Sequence, residues 1–356
     1  MWGDIAIAFL LALITSFVFT PYSIKLAKKV GAVDVPNDER KINKNSIPRL
    51  GGLAVIIGFI VSMIYLVVVM SVEGTFDIGA NYQKLLGFLL GAFVLGIVCY
   101  FDDIKNIPAL AKLAAQIVAA IIVVWAGIRI ENLNIPFLYK IGLNGAFSTV
   151  LTIVWIIGVT NAINLIDGLD GLSSGIAIIS SVSLLIIFSL NGSPIIAILL
   201  ITALIGALVG FLPFNFNPAK TFIGDIGSNF LGFALAIISI MGVAKTYTLI
   251  VIVAPLIVLA LPVLDTLWAI FRRLIKGKSL KAIIKPDAGH LHHRIMKKGF
   301  SQKQAVFILY GISAGFGMFA VILLESGLWK ALSFLLMIIA IIAIGYNNFI
   351  RSKEKI

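Results

Sequence analysis

Five clusters of polar residues interrupt an otherwise apolar chain, and each holds side chains suited to phosphate or cation chemistry. One, Asn161-Ala-Ile-Asn-Leu-Ile-Asp-Gly-Leu-Asp-Gly-Leu172, carries two carboxylates, two amides and two glycines between apolar runs. Asp102 and Asp103 close another apolar run. Adjacent carboxylates repel unless a cation lies near, and magnesium is commonly held by one or two carboxylates plus phosphate oxygens. Asp225 lies between Gly224 and Gly227, where backbone can come close to a ligand, and reads as a single metal ligand. In the same stretch Phe222 offers a face to a flat base and Asn215 a hydrogen-bonding edge. His290, His292 and His293 are all the histidines of the chain, and they lie close in sequence to Asp265. Arg272 and Arg273 form a pair able to clamp a diphosphate. Ionisable groups in so apolar a chain are costly and read as functional.

Each cluster also has a plainer explanation. Asn161, Asn164 and Asp167 recur every third residue, so they share one face near a helix end, and Gly168 breaks the helix. They are either a satisfied structural set or part of a site. Asp170 either caps the following helix or belongs to that site. Asp102 and Asp103 are a solvated helix end or a cation site. The helix dipole disfavours acids at that end, which argues for the cation site. Lys112 faces a phosphate or snorkels to the membrane interface, and the two arginines divide in the same way. Zinc is a conceivable partner for the histidines. No cysteine adjoins them, however, and the nearby acids favour a hard cation, so contact with phosphate fits better. In the loop from Asp34 to Gly52, Lys41, Lys44 and Arg49 are suited to lipid head groups, as is any juxtamembrane basic segment, and the start of the next helix can hold an anion.

The elements that position these groups are membrane helices. Of the 356 residues, 60% are hydrophobic and 12% charged, and the mean hydropathy is +1.09. A soluble domain carries roughly a quarter charged residues. The chain is therefore expected to be all-α, a single polytopic membrane domain, and its long unbroken apolar runs exclude a β-barrel. At ~20 residues per span, about eleven transmembrane helices are expected. They cover 3–22, 51–71, 84–101, 109–127, 147–166, 171–190, 194–213, 227–244, 247–270, 304–323 and 331–350. The first is expected to be a retained membrane helix, since no basic segment precedes it. The lone Cys99 allows neither an internal disulfide nor a cysteine-built metal site.

With the N-terminus outside and the C-terminus cytoplasmic, 23 of the 28 lysines and arginines fall on the cytoplasmic side. That is the bias that orients membrane proteins. It accounts for most of the +12 charge and calls for no nucleic-acid partner. Asp34, Asp102, Asp103, Asp167, Asp170, Asp225, Asp265 and Asp287 fall on that side as well. Acids contribute little to orientation, so their gathering needs another cause. Such a face suits a soluble diphosphate substrate, a magnesium ion and a second substrate already in the lipid bilayer. A lipid phosphate is the economical second substrate, and phosphoryl transfer, dominated by positioning and charge neutralisation, is the expected reaction. An ion-coupled transporter is the opposing class. It would place acids near mid-span and show an internal repeat, and this chain does neither.

The motifs Asp34…Arg40-Lys41…Pro48-Arg-Leu-Gly-Gly52, Phe101-Asp-Asp103, Asn161…Leu172, Phe222-Ile-Gly-Asp-Ile-Gly-Ser228 and His290-Leu-His-His-Arg294 carry a family resemblance. In this order they resemble those of the polyprenyl-phosphate N-acetylhexosamine-1-phosphate transferases (glycosyltransferase 4). The resemblance runs from residue 34 to residue 294. It implies a ten- or eleven-helix fold, a magnesium or manganese ion, and release of UMP from a UDP-amino sugar. The phospho-MurNAc-pentapeptide translocase branch usually has Thr-Met-Gly-Gly and three consecutive histidines. Here Arg49-Leu-Gly-Gly52 and His290-Leu-His-His293 resemble instead the undecaprenyl-phosphate GlcNAc-1-phosphate transferases of wall teichoic acid and O-antigen initiation.

UDP-GlcNAc and undecaprenyl phosphate are then the expected substrates, with translocase activity or another UDP-HexNAc as the alternative. The expected place is the cytoplasmic face of a bacterial plasma membrane, on loops 23–50, 102–108, 214–226 and 271–303. A homodimer is expected by resemblance alone. Residue by residue, the resemblance implies that Asp225 binds the metal. Asp102 and Asp103 would orient or deprotonate the lipid phosphate and help hold the ion. Asn164, Asp167, Asn215 and Phe222 would hold the uridine, and Lys112 would lie near the phosphates. His290, His292 and His293 would contact the diphosphate or sugar. Both direct attack by a lipid-phosphate oxygen and a two-step route through an aspartyl-phosphate on Asp102 or Asp103 agree with these roles.

Overall fold

The computed structural model of the chain describes residues 2–36, 45–74, 77–133, 141–142, 145–242, 249–277 and 289–353. In chain order the helices are α1 (Trp2–Val30), α2 (Gly51–Val72), α3 (Ile78–Lys105), α4 (Ala109–Trp125), α5 (Gly145–Ile166), α6 (Leu172–Leu190) and α7 (Ile195–Asn215). They continue with α8 (Gly224–Gly242), α9 (Leu249–Val258), α10 (Ala260–Gly277), α11 (Leu291–Lys297), α12 (Gln302–Ser326) and α13 (Leu328–Lys353). The described residues also hold two short antiparallel pairs, β1 (Val33–Asp34) with β2 (Ile47–Pro48) and β3 (Asn132–Leu133) with β4 (Ile141–Gly142). Among the described residues eight helices, α1 to α3, α5 to α8 and α12, are long and apolar enough to cross a membrane. α4 and the Leu328–Ala340 part of α13 are shorter apolar helices. The protein is an all-α, multi-pass membrane protein.

A helix that is apolar all round belongs inside a bundle. α7 is such a helix, and α8 is apolar beyond its polar first turns; 83% and 89% of their apolar windows are buried, against 28% for α1 and for α12. α1 lies along α2 and α7, while α3 and α5 flank α8. Aromatic rings knit this centre: Phe59 of α2 meets Phe88 of α3 at 5.6 Å and Phe230 of α8 at 5.4 Å between centroids. Leu10, Ile14 and Phe17 point outward from α1, where lipid rather than water is their solvent.

The helices depart from the expected spans at three places that matter for the site. α3 continues to Lys105, so Asp102 and Asp103 belong to its last turn. α8 starts at Gly224, not at 227, which puts Asp225 in a first helical turn rather than in a loop. The expected span 247–270 is two helices, divided at Leu259. Pro262 causes the division: it has no N–H for the carbonyl of residue 258, and its ring crowds that carbonyl. Bonding resumes on either side, with Leu259 donating to Pro255 and Val263 to Leu259.

Candidate active site

α1, α3, α5 and α7 end, and α2, α4, α6, α8 and α12 begin, at one end of the bundle. A cavity of about 370 Å³ opens there, within the range usual for small-molecule sites. Its wall contains Arg49, Asp103, Asn164, Asp167, Asp170, Asn215, Phe222, Asp225 and His293 from the residues singled out in the sequence. Asp34, Ser228 and Gln302 join them. Asp102, Lys112, Asn161, Arg272, Arg273, His290 and His292 do not line the cavity. Lys41 and Lys44 lie outside the described residues.

Successive residues of a helix point about 100° apart, so Asp102 and Asp103 do different work. Asp103 faces α8. Its Oδ1 accepts the Asp225 N–H at 2.8 Å and its Oδ2 the Ile226 N–H at 3.0 Å. These are first-turn amides with no partner inside their own helix, so a carboxylate on α3 caps α8. Asp102 faces α4: Oδ1 accepts the Ile107 N–H at 2.6 Å and Oδ2 pairs with Lys112 Nζ at 2.6 Å. The fit around α8 is tight. A Cβ on Gly52 would stand 2.3 Å from the Cα of Gly227, so both positions require glycine. The loop before α8 is pinned by backbone bonds, with Gly51 donating to Phe222 at 3.0 Å and Phe222 donating to Pro48 at 2.8 Å.

Asp225 stands at the meeting point of α4, α5 and α8. Its Oδ1 accepts Asn164 Nδ2 at 2.8 Å and lies 3.5 Å from Lys112 Nζ. Asn164 also donates to Ser228 Oγ at 2.8 Å. Asn161, one turn back on α5, goes elsewhere. It donates to Gln116 Oε1 at 2.7 Å, and Gln116 donates to Asn229 Oδ1 at 2.9 Å. This cluster of three amides joins α4, α5 and α8 beneath the cavity, and Asn229 reaches back to the Asp225 carbonyl at 2.9 Å.

Asp167 accepts the Ser173 hydroxyl at 2.5 Å. Burial raises its carboxyl, Ser173 opposes the rise, and the charges of Asp225 and Asp170 add to it, leaving it at about 7. In the unfolded chain the same group titrates near ~4. Stability therefore falls between those two values as pH rises, because only the unfolded state sheds the proton freely. Asp167→Asn copies the protonated form. Its melting temperature relative to wild type is expected to be higher at pH 8 than at pH 5, measured without substrate. A difference that does not change with pH would remove the perturbed carboxyl.

Asp170 does not cap α6, whose N-cap is Gly171 in a left-handed conformation. Its Oδ2 instead accepts Asn217 Nδ2 at 2.8 Å and the Ala219 N–H at 3.1 Å, holding the loop after α7. Oδ1 is buried without a hydrogen-bond partner among the described residues, on the cavity wall. A buried acceptor of this kind costs stability unless a ligand donates to it. Asn217 also donates to Gln302 at 2.8 Å. Asn215 is oriented by Ser174, whose hydroxyl donates to Oδ1 at 2.8 Å.

The histidines occupy α11 and the residue before it. His290 Nδ1 lies 2.9 Å from Asp265 Oδ2, whose other oxygen accepts the Leu291 N–H at 2.9 Å. His292 is buried against Gly168, where a Cβ would meet its Nε2 at 2.3 Å. Burial, with His293 and His290 beside it, lowers its pKa to about 3, so it is neutral. His293 reaches the cavity. Arg272 donates to the Gly289 carbonyl at 2.9 Å, so its guanidinium supports the histidine segment. Arg49 forms an ion pair with Asp34 on the cavity wall.

Among the described residues no three His, Cys, Asp or Glu side chains converge as a metal cage. Both oxygens of Asp102 and of Asp103 already carry contacts. Asp225, with 27% of its side chain exposed, is the acid best placed to take an ion from the cavity. One carboxylate plus substrate phosphates is a usual arrangement for magnesium, so the donor set fits that ion.

Fold and site together define a helical membrane protein with a carboxylate-rich, ligand-sized cavity at one end of its bundle. Residues 85–243 match glycosyl transferase family 4. The chain is 35% identical over 353 residues to a probable undecaprenyl-phosphate N-acetylglucosaminyl 1-phosphate transferase of Bacillus subtilis, covering 99% of this chain and 94% of that protein. It is 31% identical over 323 residues to a decaprenyl-phosphate N-acetylglucosaminephosphotransferase of Mycobacterium tuberculosis, covering 84% and 77%. An undecaprenyl-phosphate alpha-N-acetylglucosaminyl 1-phosphate transferase of Escherichia coli is 30% identical over 314 residues, covering 85% and 80%. The chain belongs to glycosyl transferase family 4 and is an enzyme of the transferase class.

Proposed function

We propose that the protein transfers N-acetylglucosamine 1-phosphate from UDP-GlcNAc to undecaprenyl phosphate, giving undecaprenyl-diphospho-GlcNAc and UMP. The observation that carries this reading is the grouping of Asp225 and Asn164 on the wall of a cavity also lined by Asn215, Phe222 and Asp170, with Lys112 3.5 Å behind Asp225. The first group suits a diphosphate, the second a nucleoside. A magnesium ion on Asp225 would neutralise diphosphate charge. A lipid-phosphate oxygen attacks the sugar-bearing β-phosphorus, a new P–O bond forms, and the bond to the bridging oxygen breaks so that UMP leaves. Lys112 steadies phosphate charge, and His293 contacts the diphosphate or sugar. The engagement of both Asp102 and Asp103 with backbone and lysine supports direct attack over a covalent aspartyl intermediate.

An apolar groove of about 560 Å³ between α2, α3 and α8 ends at Phe101 and Ile226, sequence neighbours of Asp102 and Asp225. It supports a membrane-resident acceptor whose hydrocarbon chain lies along α3. The bias of lysine and arginine supports placing the end of the bundle that holds the carboxylate-rich cavity in the cytoplasm of a bacterial cell. Purified protein given UDP-GlcNAc, undecaprenyl phosphate and magnesium is expected to release UMP, and none should appear when chelator removes the metal. Absence of UMP in the complete mixture would sink the transferase reading. UDP-GalNAc and UDP-MurNAc-pentapeptide run in parallel identify the sugar, and faster release from either would replace UDP-GlcNAc as the donor.

A further inference from the structure

Asp265 lies off the cavity wall, yet the histidine segment hangs on it. Asp265 and Arg272 are seven residues apart on α10, hence on one helix face. Both reach residues 289–291. Asp265 takes the Leu291 N–H at 2.9 Å and the His290 ring at 2.9 Å, and Arg272 donates to the Gly289 carbonyl at 2.9 Å. The side chains of Asp265 and His290 are each 6% exposed, so water does not compete for the contact. An ionised carboxylate only accepts, which places the proton of His290 on Nδ1. Leu291 opens α11, and its N–H has no partner within that helix. Asp265 therefore caps a helix to which it does not belong. Round the helix from Asp265, Leu264, Leu267, Trp268 and Phe271 of α10 are exposed.

We propose that Asp265 is a positioning residue for the transfer reaction. Its carboxylate fixes the start of α11 and so sets where His293 stands in the cavity. The inference rests on the cavity being the transfer site.

The test uses the full-length protein with Asp265→Ala, Asp265→Asn, His293→Ala and the double variant Asp265→Ala/His293→Ala. Asp265→Ala is expected to lower UMP release at saturating substrates by about tenfold to a hundredfold, the scale of a small misplacement near the chemistry. Asp265→Asn keeps an acceptor for Leu291 and a polar partner for His290, and is expected to recover most of the rate. In the His293→Ala background, Asp265→Ala should cost less than about threefold more, because the group it positions is gone. The same factor in both backgrounds, or an Asp265→Ala rate within about twofold of wild type, overturns the proposal. Amide exchange gives a readout independent of turnover. Residues 291–297 should exchange faster in Asp265→Ala while α12 is unchanged, and unaltered exchange at 291–297 also overturns it. Wild-type protein that releases no UMP sinks the transferase reading instead, and the exchange result still decides whether Asp265 holds α11.

Discussion

Asp225→Asn is expected to lower UMP release by on the order of a hundredfold to a thousandfold, the scale seen when one preorganised charge-stabilising group is removed. The same variant should melt no lower than wild type. Asparagine keeps the shape of the side chain and an oxygen for Asn164, which donates at 2.8 Å to Oδ1. Lys112 retains its closer partner, Asp102 at 2.6 Å, when the 3.5 Å contact weakens. One charge also leaves a crowded group of acids, and like charges this close oppose one another. Active sites often hold such unfavourable clusters at a cost in stability, so their loss and the loss of turnover go in opposite directions. UMP release by steady-state assay and thermal unfolding of the same preparation check both halves. Near-normal turnover would remove Asp225 from the reaction. Lost turnover with a large fall in melting temperature would make it a structural acid.

The site was readable where its logic lies within one segment. Asn164 and Asp167 share a helix face by spacing alone, and both line the cavity. Asn161 obeys the same spacing but turns to Gln116 and Asn229. Its partner Gln116 sits in an apolar stretch of α4 that shows no motif, so pairing across helices hid it. Asp225 looked like a loop ligand because glycines flank it. Gly224 instead admits the Arg49 carbonyl and Gly227 the backbone of α2 at Gly52, and the acid lies in the first turn of a helix. The arginine pair has the right chemistry for a diphosphate, yet Arg272 is spent on the Gly289 carbonyl, a contact between residues 17 apart. Apolar content located the membrane helices because it measures burial in lipid. It could not register the division at Leu259, which leaves composition unchanged and comes from the missing N–H of Pro262. Gln302 entered the cavity with no signal at all, since it is one polar residue at the start of an apolar helix.

Asp103→Ala is expected to lose both fold stability and turnover, and for a single reason. Its carboxylate alone holds the Asp225 and Ile226 amides, at 2.8 and 3.0 Å. Ile226 is almost fully buried, so its amide has no water to turn to. Leaving buried donors unpaired costs about 1–3 kcal/mol each, and removal of a helix cap about 1 kcal/mol. These figures overlap, because the cap is those same bonds, so a fall of about 2–4 kcal/mol is expected. The freed turn carries Asp225, and turnover should drop with it by roughly a hundredfold. Asp103→Asn separates capping from charge. Its single oxygen can serve one amide while its NH2 group faces the other, so it should recover only part of the stability. Chemical unfolding and UMP release, compared across wild type and both variants, give the ordering. If Asp103→Ala proved as stable as wild type but inactive, Asp103 would act on substrate directly rather than through the start of α8.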